Sequence, residues 1–235
     1  MRRAFACAAL TLALASCAGG RQGPDQLHGG ILRPVAQPGE VVATELAFAR
    51  AAQDKGQWTA FAQYAADDAV MYAPQPVLAK AWLKGRANPP QAVKWQPYQV
   101  WSSCDGSLAA SRGAWQRPDG SVGYFTTIWQ RQPDGGYKWV LDSGDKLSRP
   151  LAEPDLVQAD IADCPARGQG RGSLVVHGKL PVAPVSGTPE DRGGQSLDGT
   201  LSWSARSAAD GSRTISVLLS KGGAMKEIVH SQVSP

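Results

Sequence analysis

Histidine is scarce. Three occur in 235 residues, at positions 28, 177 and 230, and none lies between residues 41 and 147. A His–Asp dyad in that central region is therefore excluded. No apolar run reaches the roughly 18 residues of a membrane-crossing helix. An excess of one charge is missing too: 24 Lys and Arg stand against 20 Asp and Glu, which is no nucleic-acid footprint. Four cysteines form no Cys-x-x-Cys pair and no Cys/His cluster. No metal and no redox cofactor has a ligand set here, and no cofactor is expected. Gly-x-Ser-x-Gly and His-Glu-x-x-His are absent. Ser143-Gly-Asp-Lys146 spells Ser-x-x-Lys, but it closes a strand pattern instead of opening a helix. Gly168-Gln-Gly-Arg-Gly172 has no strand before it and no helix after it, so it reads as a linker.

What is present begins with an address. Arg2 and Arg3 precede the short apolar run Ala4 to Ala15, the pattern of a signal peptide. The run ends in Leu14-Ala15-Ser16-Cys17, small residues ahead of a thiol, as a bacterial lipobox requires. Residues 1–16 are read as the lipoprotein signal, with Cys17 the lipidated residue. Two acyl signals on one cysteine suffice for stable anchoring. Ala18 follows instead of Asp, which favours the outer membrane by the sorting rule of enteric bacteria. The expected location is the cell envelope, lipid-anchored and facing the periplasm. Cys7 leaves with the signal, so Cys104 and Cys164 remain as one pair in an oxidising space. A disulfide between them is expected, with two buried free thiols as the alternative. Closing a loop of that length stabilises a fold by about 4 kcal/mol in the chain-entropy model.

Residues 17–40, rich in Gly, Pro and Gln, read as a tether. The aromatic residues are then sharply concentrated. Of 17 in the chain, 15 fall between Phe48 and Trp139, leaving only Phe5 and Trp203 outside. That marks a well-cored domain over 41–147. Within it, 42–55 reads as a helix whose stripe is Val42, Leu46 and Ala49 with Phe48 and Ala52 alongside, stopped by Gly56. Residues 58–66 read as a second helix broken by Asp67-Asp68. A short strand, Ala69 to Ala73, follows. Pro76 leads a third helix over 77–84 with Gly85 after it. Strands are expected at about 97–103, 107–117, 121–132 and 136–145. The last three are joined by Pro-Asp119-Gly120 and Pro-Asp134-Gly135, which suit tight turns of an antiparallel meander. Residues 148–170 read as a helix, Glu153 to Ala162, and a linker. Residues 171–235 read as a C-terminal β extension: one strand over 172–182, then a meander of 201–207, 214–220 and 226–233. Asp105-Gly-Ser-Leu and Asp198-Gly-Thr-Leu both open three-strand meanders, which we read as shared turn chemistry. With one ring, this tail has a thin core and is expected to dock on the first domain or on a partner copy.

Two helices, a short strand, a third helix and a long meander make the element order of the nuclear transport factor 2-like superfamily, which includes ketosteroid isomerase and polyketide cyclases. The resemblance is carried by Trp58-Thr-Ala-Phe61, by Asp67-Asp-Ala-Val-Met-Tyr-Ala-Pro74, and by Gly123-Tyr-Phe-Thr-Thr-Ile-Trp129 through Asp134-Gly-Gly-Tyr-Lys-Trp-Val-Leu-Asp142. It spans about 41–147. It implies an α+β fold: a cone-shaped, curved antiparallel sheet packed on three N-terminal helices, open at one end as a pocket. The tail lies outside it.

Strand alternation separates Phe125, Thr127 and Trp129 from Tyr124, Thr126 and Ile128. The inner face of that strand stays open at this point. On the next strand Tyr137, Trp139 and Leu141 are expected inward, with Lys138, Val140 and Asp142 outward. Most of the rings are expected in the core. Tyr72, Trp82, Trp101, Trp115 and Trp129 are the candidates for the pocket wall, where Tyr and Trp suit a flat apolar ligand. Resemblance to ketosteroid isomerase implies a carboxylate base with an acidic donor. Asp67, Asp68 and Asp142, with Tyr72 as donor, are the weak catalytic candidates, and no acid stands in an apolar strand run where burial would tune it. The leading reading is a non-catalytic envelope lipoprotein that binds a small apolar molecule or a protein partner. The alternatives are a lyase or isomerase with an Asp base, or a homodimeric scaffold built on the outer sheet face and the tail.

Overall fold

A computed structural model describes residues 35–165 and 179–235. The lipobox, Cys17, most of the tether and the expected strand start at 172 lie outside those residues. The chain begins with α1 (Pro38–Lys55) and α2 (Gln57–Tyr64). Strands β1 (Ala65–Tyr72) and β2 (Pro76–Leu78) follow, then the short α3 (Ala79–Leu83). Four long strands come next: β3 (Lys94–Ser102), β4 (Leu108–Gln116), β5 (Val122–Arg131) and β6 (Tyr137–Leu147). With β7 (Gln158–Ile161) they form one mixed seven-stranded sheet, ordered β2-β1-β6-β5-β4-β3-β7. A second sheet is built from β8 (Val185–Gly187), β9 (Asp191–Gln195), β10 (Leu201–Ser207), β11 (Arg213–Lys221) and β12 (Ala224–Val233). It is antiparallel throughout, ordered β12-β11-β10-β9-β8.

The first helix starts four residues before the expected Val42, and Pro76–Leu78, expected to open the third helix, instead pairs with β1 as a strand, leaving only Ala79–Leu83 helical. Pro38 stands in the first turn of α1, Glu40 lies near its positive end and Lys55 near its negative end. The buried stripe, however, is Val41, Glu45, Phe48 and Ala52, with Ala51 beside it. This stripe is turned by one position from the expected one, and Leu46 is left exposed. The helix begins α2 without a cap of its own. Asn88, thirty residues on, supplies it: Trp58 N and Thr59 N donate to Asn88 Oδ1 at 2.8 and 3.1 Å. Asp67 and Asp68 do not break a helix. They lie within β1, in the stretch where its parallel register with β6 shifts between Ala65 and Val70.

The expected helix from Glu153 to Ala162 is also corrected. Residues Gln158–Ile161 are a strand, paired parallel with Gln99–Ser102 of β3. Two features favour this outcome: the edge of β3 offers unpaired backbone groups, and the Cys104–Cys164 disulfide, 60 residues apart in sequence, draws the segment alongside it. The same segment ties the two sheets together. Asp163 N donates to Ser220 O at 2.8 Å, Gly222 N to Asp163 Oδ2 at 2.6 Å, and Lys221 Nζ to Asp160 Oδ1 at 2.8 Å.

Three layers result: helices, first sheet, second sheet. Strand β5 shows this most simply, since every residue from Gly123 to Arg131 is buried. A strand buried on both faces needs a layer on each side. Its inward residues, Phe125, Thr127 and Trp129, face the helices. Its outward residues meet the second sheet, with Tyr124 Oη and Ser231 Oγ 2.6 Å apart and Gln130 Nε2 donating to Ala183 O at 2.8 Å. The outer face, expected to meet solvent or a partner, is thus filled by the chain's own tail.

The two sheets also clasp through twin corners. Ser103-Cys-Asp-Gly-Ser-Leu108 joins β3 to β4, and Ser196-Leu-Asp-Gly-Thr-Leu201 joins β9 to β10. In each, the aspartate Oδ1 accepts the preceding serine hydroxyl and both the amide and the hydroxyl of the residue two positions on. Gly106 and Gly199 take φ of 67° and 74°, which the turn demands. The other oxygen reaches across: Asp105 N donates to Asp198 Oδ2 at 2.8 Å and Asp198 N to Asp105 Oδ2 at 3.0 Å. Cys104 N to Thr200 Oγ1 and Leu197 N to Ser107 Oγ complete a reciprocal pairing.

Candidate functional site

The first sheet and the helices enclose a hollow of about 640 Å³, within the range of small-molecule sites. Its wall is aromatic. Phe48 comes from α1, Trp58 and Phe61 from α2, Tyr72 from β1, and Trp82 from α3. Trp95, Trp115 and Phe125 come from the sheet. The rings meet edge to face: Trp58 and Trp82 centroids are 5.2 Å apart at 84°, and Phe48 and Trp95 are 4.8 Å apart at 68°. Trp115 is held flat over Gly123, where an added Cβ would come within 2.2 Å of its ring, and its indole N–H donates to Tyr124 O at 2.9 Å. The second sheet supplies part of the mouth through Asp210, Gly211, Arg213 and Val233.

Tyr72, Trp82 and Trp115 therefore stand at the pocket. Trp101 and Trp129 do not. Trp101 is buried on the other side of the sheet from the helices, because a register shift between Pro97 and Gln99 reverses the alternation along β3. Trp129 is completely buried behind the wall, in edge contact with Phe48.

Asp142 is the chief correction. It lines the pocket instead of facing outward. The cause is a bulge in β6. Trp129 pairs with Trp139, but Ile128 pairs with Leu141, so Val140 is an extra residue. One extra residue inverts the alternation. Leu141 then points at the second sheet, and Asp142 shares the inward side with Trp139. Thr127 Oγ1 donates to Asp142 Oδ2 at 2.8 Å. Burial pushes its carboxyl up to about 6, against the lowering effect of that hydrogen bond.

A second acid lies one layer deeper, and no strand-based search could find it. Glu45 of α1 is fully buried. Trp95 Nε1 donates to Oε1 at 2.9 Å, while Ser111 Oγ and Trp129 Nε1 donate to Oε2 at 2.6 and 3.1 Å. Burial raises its carboxyl to about 7. The hydrogen bonds from Ser111, Trp95 and Trp129 pull it down and the charge of Asp142 pushes it up. The signal existed in the helix: Val41, Phe48 and Ala52 are spaced so that position 45 falls on their stripe. Glu45 thus ties one pocket wall, Trp95, to the sheet behind it.

The other candidates are structural. Asp67 is exposed and pairs with Lys80 at 2.5 Å. Asp68 receives the buried Arg192 of β9, which donates to its carboxylate and its backbone carbonyl, so it anchors the second sheet. Tyr72 accepts a long hydrogen bond from Ser207 Oγ at 3.5 Å and lies under Arg213, 4.5 Å from its ring. Its hydroxyl is raised above its ordinary value, chiefly by burial, and makes no hydrogen bond to a carboxylate among the described residues. No cluster of three or more metal-ligating side chains occurs among the described residues.

No protein-family model matches the chain, and no curated protein matches it. Among solved structures, it is similar to a ketosteroid isomerase candidate from Parabacteroides distasonis, at 14% identity and a TM-score of 0.38 over 48% of this chain and 90% of that one. It is similar also to a ketosteroid isomerase-like protein from Erwinia carotovora atroseptica, at 14% identity and a TM-score of 0.37 over 48% of this chain and 97% of that one. An NTF2-like protein of unknown function from Mesorhizobium loti aligns at 16% identity and a TM-score of 0.31, over 50% and 99%. These scores carry no argument about function.

Proposed function

We propose that this protein is a lipid-anchored envelope protein whose pocket takes up a small, flat, largely apolar molecule, with Asp142 as its polar contact. The observation that carries the reading is the pocket wall itself: rings from three helices and four strands around a hollow of about 640 Å³, with one inward carboxylate raised by burial. Apolar walls with few polar groups fit binding of this kind. The anchor rests on the Leu14-Ala15-Ser16-Cys17 pattern behind Arg2-Arg3, and Ala18 favours the outer membrane. Two experiments test the two parts. Native mass spectrometry of protein extracted gently from membranes is expected to show a bound small molecule that Trp115→Ala releases. A protein repeatedly isolated empty, and taking up no apolar probe, would remove the binding reading. Radiolabelled palmitate is expected to label the wild type and not Cys17→Ala, and equal labelling would remove the anchor.

One observation favours a second reading. A carboxyl raised to about 6 can take up and release protons near neutrality. Asp142 would then be the base of a proton-transfer reaction on the bound molecule. Against it, Tyr72 Oη is bonded by Ser207 Oγ, its ring lies under Arg213, and it makes no hydrogen bond to a carboxylate among the described residues. Exchange of ligand C–H protons with deuterated water, lost in Asp142→Asn, separates this reading from simple binding.

A further inference from the structure

The pocket reading leaves the ligand's polar group undefined, and the charges around Asp142 define it. Resting on that reading, we propose that the occupant is an organic cation: an amine or quaternary ammonium group on a flat apolar body, seated against Asp142 and the surrounding rings.

Three observations converge. The first is an unfilled acceptor. Thr127 Oγ1 donates to Asp142 Oδ2, and Oδ1 receives no hydrogen bond among the described residues. Asp142 is half-buried, and a bare oxygen open to the hollow can accept from a donor seated there.

The second is a missing countercharge. No ion pair to Asp142 forms among the described residues. The basic groups of the mouth, Arg117, Lys146 and Arg213, form no ion pair with it among the described residues. Arg213 donates to Ser143 Oγ at 3.2 Å and Gly144 O at 2.5 Å and covers the Tyr72 ring. Arg117 lies 4.9 Å over the Trp115 ring, and Lys146 is exposed. The upward shift of Asp142 agrees, since burial dominates it and no cation offsets it. Glu45, one layer deeper, feels the charge of Asp142 and adds a second acid to the same interior. An anionic group seated at Asp142 itself would meet repulsion, whereas Arg117, Lys146 and Arg213 lie elsewhere on the lining. A neutral donor would satisfy the bare oxygen but would not balance its charge.

The third is the wall. The faces of Trp and Tyr attract cations through the ring quadrupole, most strongly where water is excluded. Trp58, Trp82, Trp95 and Tyr72 surround the same hollow. Arg86, 3.4 Å over Trp82, already uses one of these rings in this way.

The test uses three probes with one ring system: naphthylethylamine, naphthylethanol and naphthylacetate. Each is titrated calorimetrically into the mature protein above the titration range of Asp142. The amine is expected to bind at least about tenfold tighter than the alcohol, a difference of about 1.4 kcal/mol, and the acetate weakest. Asp142→Asn is expected to erase the preference for the amine, its melting profile reporting that it is folded. Alcohol or acetate binding as tightly as the amine in the wild type overturns the cation assignment while leaving the pocket reading intact. An amine preference that survives in a folded Asp142→Asn variant overturns it as well. Binding by none of the three overturns the pocket reading and this assignment together.

Discussion

The two sheets open with the same corner and then diverge. Ser103–Leu108 and Ser196–Leu201 share their hydrogen bonds residue for residue, and each aspartate caps the other's loop. Beyond the corners, the first sheet and its helices carry a wall of rings, two raised acids and a cavity. The second sheet has one ring, Trp203, and fills its inner face with Leu201, Ala205, Ile215, Val217, Leu219 and Val229. The first sheet borders the hollow. The second is built to cover the first, and it also contributes the Arg213 side of the mouth.

The dependence of one sheet on the other is the largest effect to measure. A chain ending before residue 179 would expose the outward face of β5 and β6, including Tyr124, Ile128 and Leu141. It is expected to lose its whole cooperative transition, about 5–15 kcal/mol for an ordinary domain. A sharp calorimetric melt in the shortened chain would show that the first sheet stands alone. Reduction of Cys104–Cys164 comes next. With the partners 60 positions apart, the loss expected is about 4 kcal/mol in chemical denaturation, and no change on reduction would make the link between the β3 and β7 ends dispensable.

Glu45 has no counterpart in the second sheet, and pH exposes it. Its carboxyl rises from 4.5 to about 7 on folding. The folded state therefore holds the proton more tightly than the unfolded state. This stabilising contribution is complete at pH below about 4.5 and is lost as pH rises towards 7. The slope amounts to about 3 kcal/mol, and Asp142 adds to it in the same direction. Glu45→Gln is expected to flatten that part of the stability profile, and an unchanged slope would remove Glu45 as its source. The smallest effect tests the corners. Asp105→Asn and Asp198→Asn are each expected to cost about 1–3 kcal/mol, in similar amounts. Their double mutant is expected to cost less than the sum, because the two share one network. Strict additivity in urea melts would break the equivalence of the two corners.

Much of this architecture was legible before any coordinates. The meander turns at Asp119-Gly120 and Asp134-Gly135 close as expected, with Ser121 N and Gly136 N donating to the aspartates. The strands between them match within three residues. The pairing of Cys104 with Cys164 was readable from their number, two once Cys7 and Cys17 are set aside, and from the oxidising compartment that the N-terminal pattern led us to expect. The site was less legible. Tyr72, Trp82 and Trp115 were identified, but Asp142 was turned the wrong way by a one-residue bulge at Val140, and Trp101 by the shift near Tyr98. Glu45 was passed over because an acid in an apolar helix stripe reads as solvent-facing until its donors are known.

Local chemistry was enough to set the turns, most of the elements and the cysteine pair, because each depends on neighbours a few residues away or on simple counting. The facing of Asp142, the burial of Glu45 and the use of the tail as a cover came only with the assembled molecule. A bulge is settled by the partner strand, and a buried carboxylate is tolerated only where distant Trp and Ser donors meet it. Neither condition is written in the residues adjacent to it.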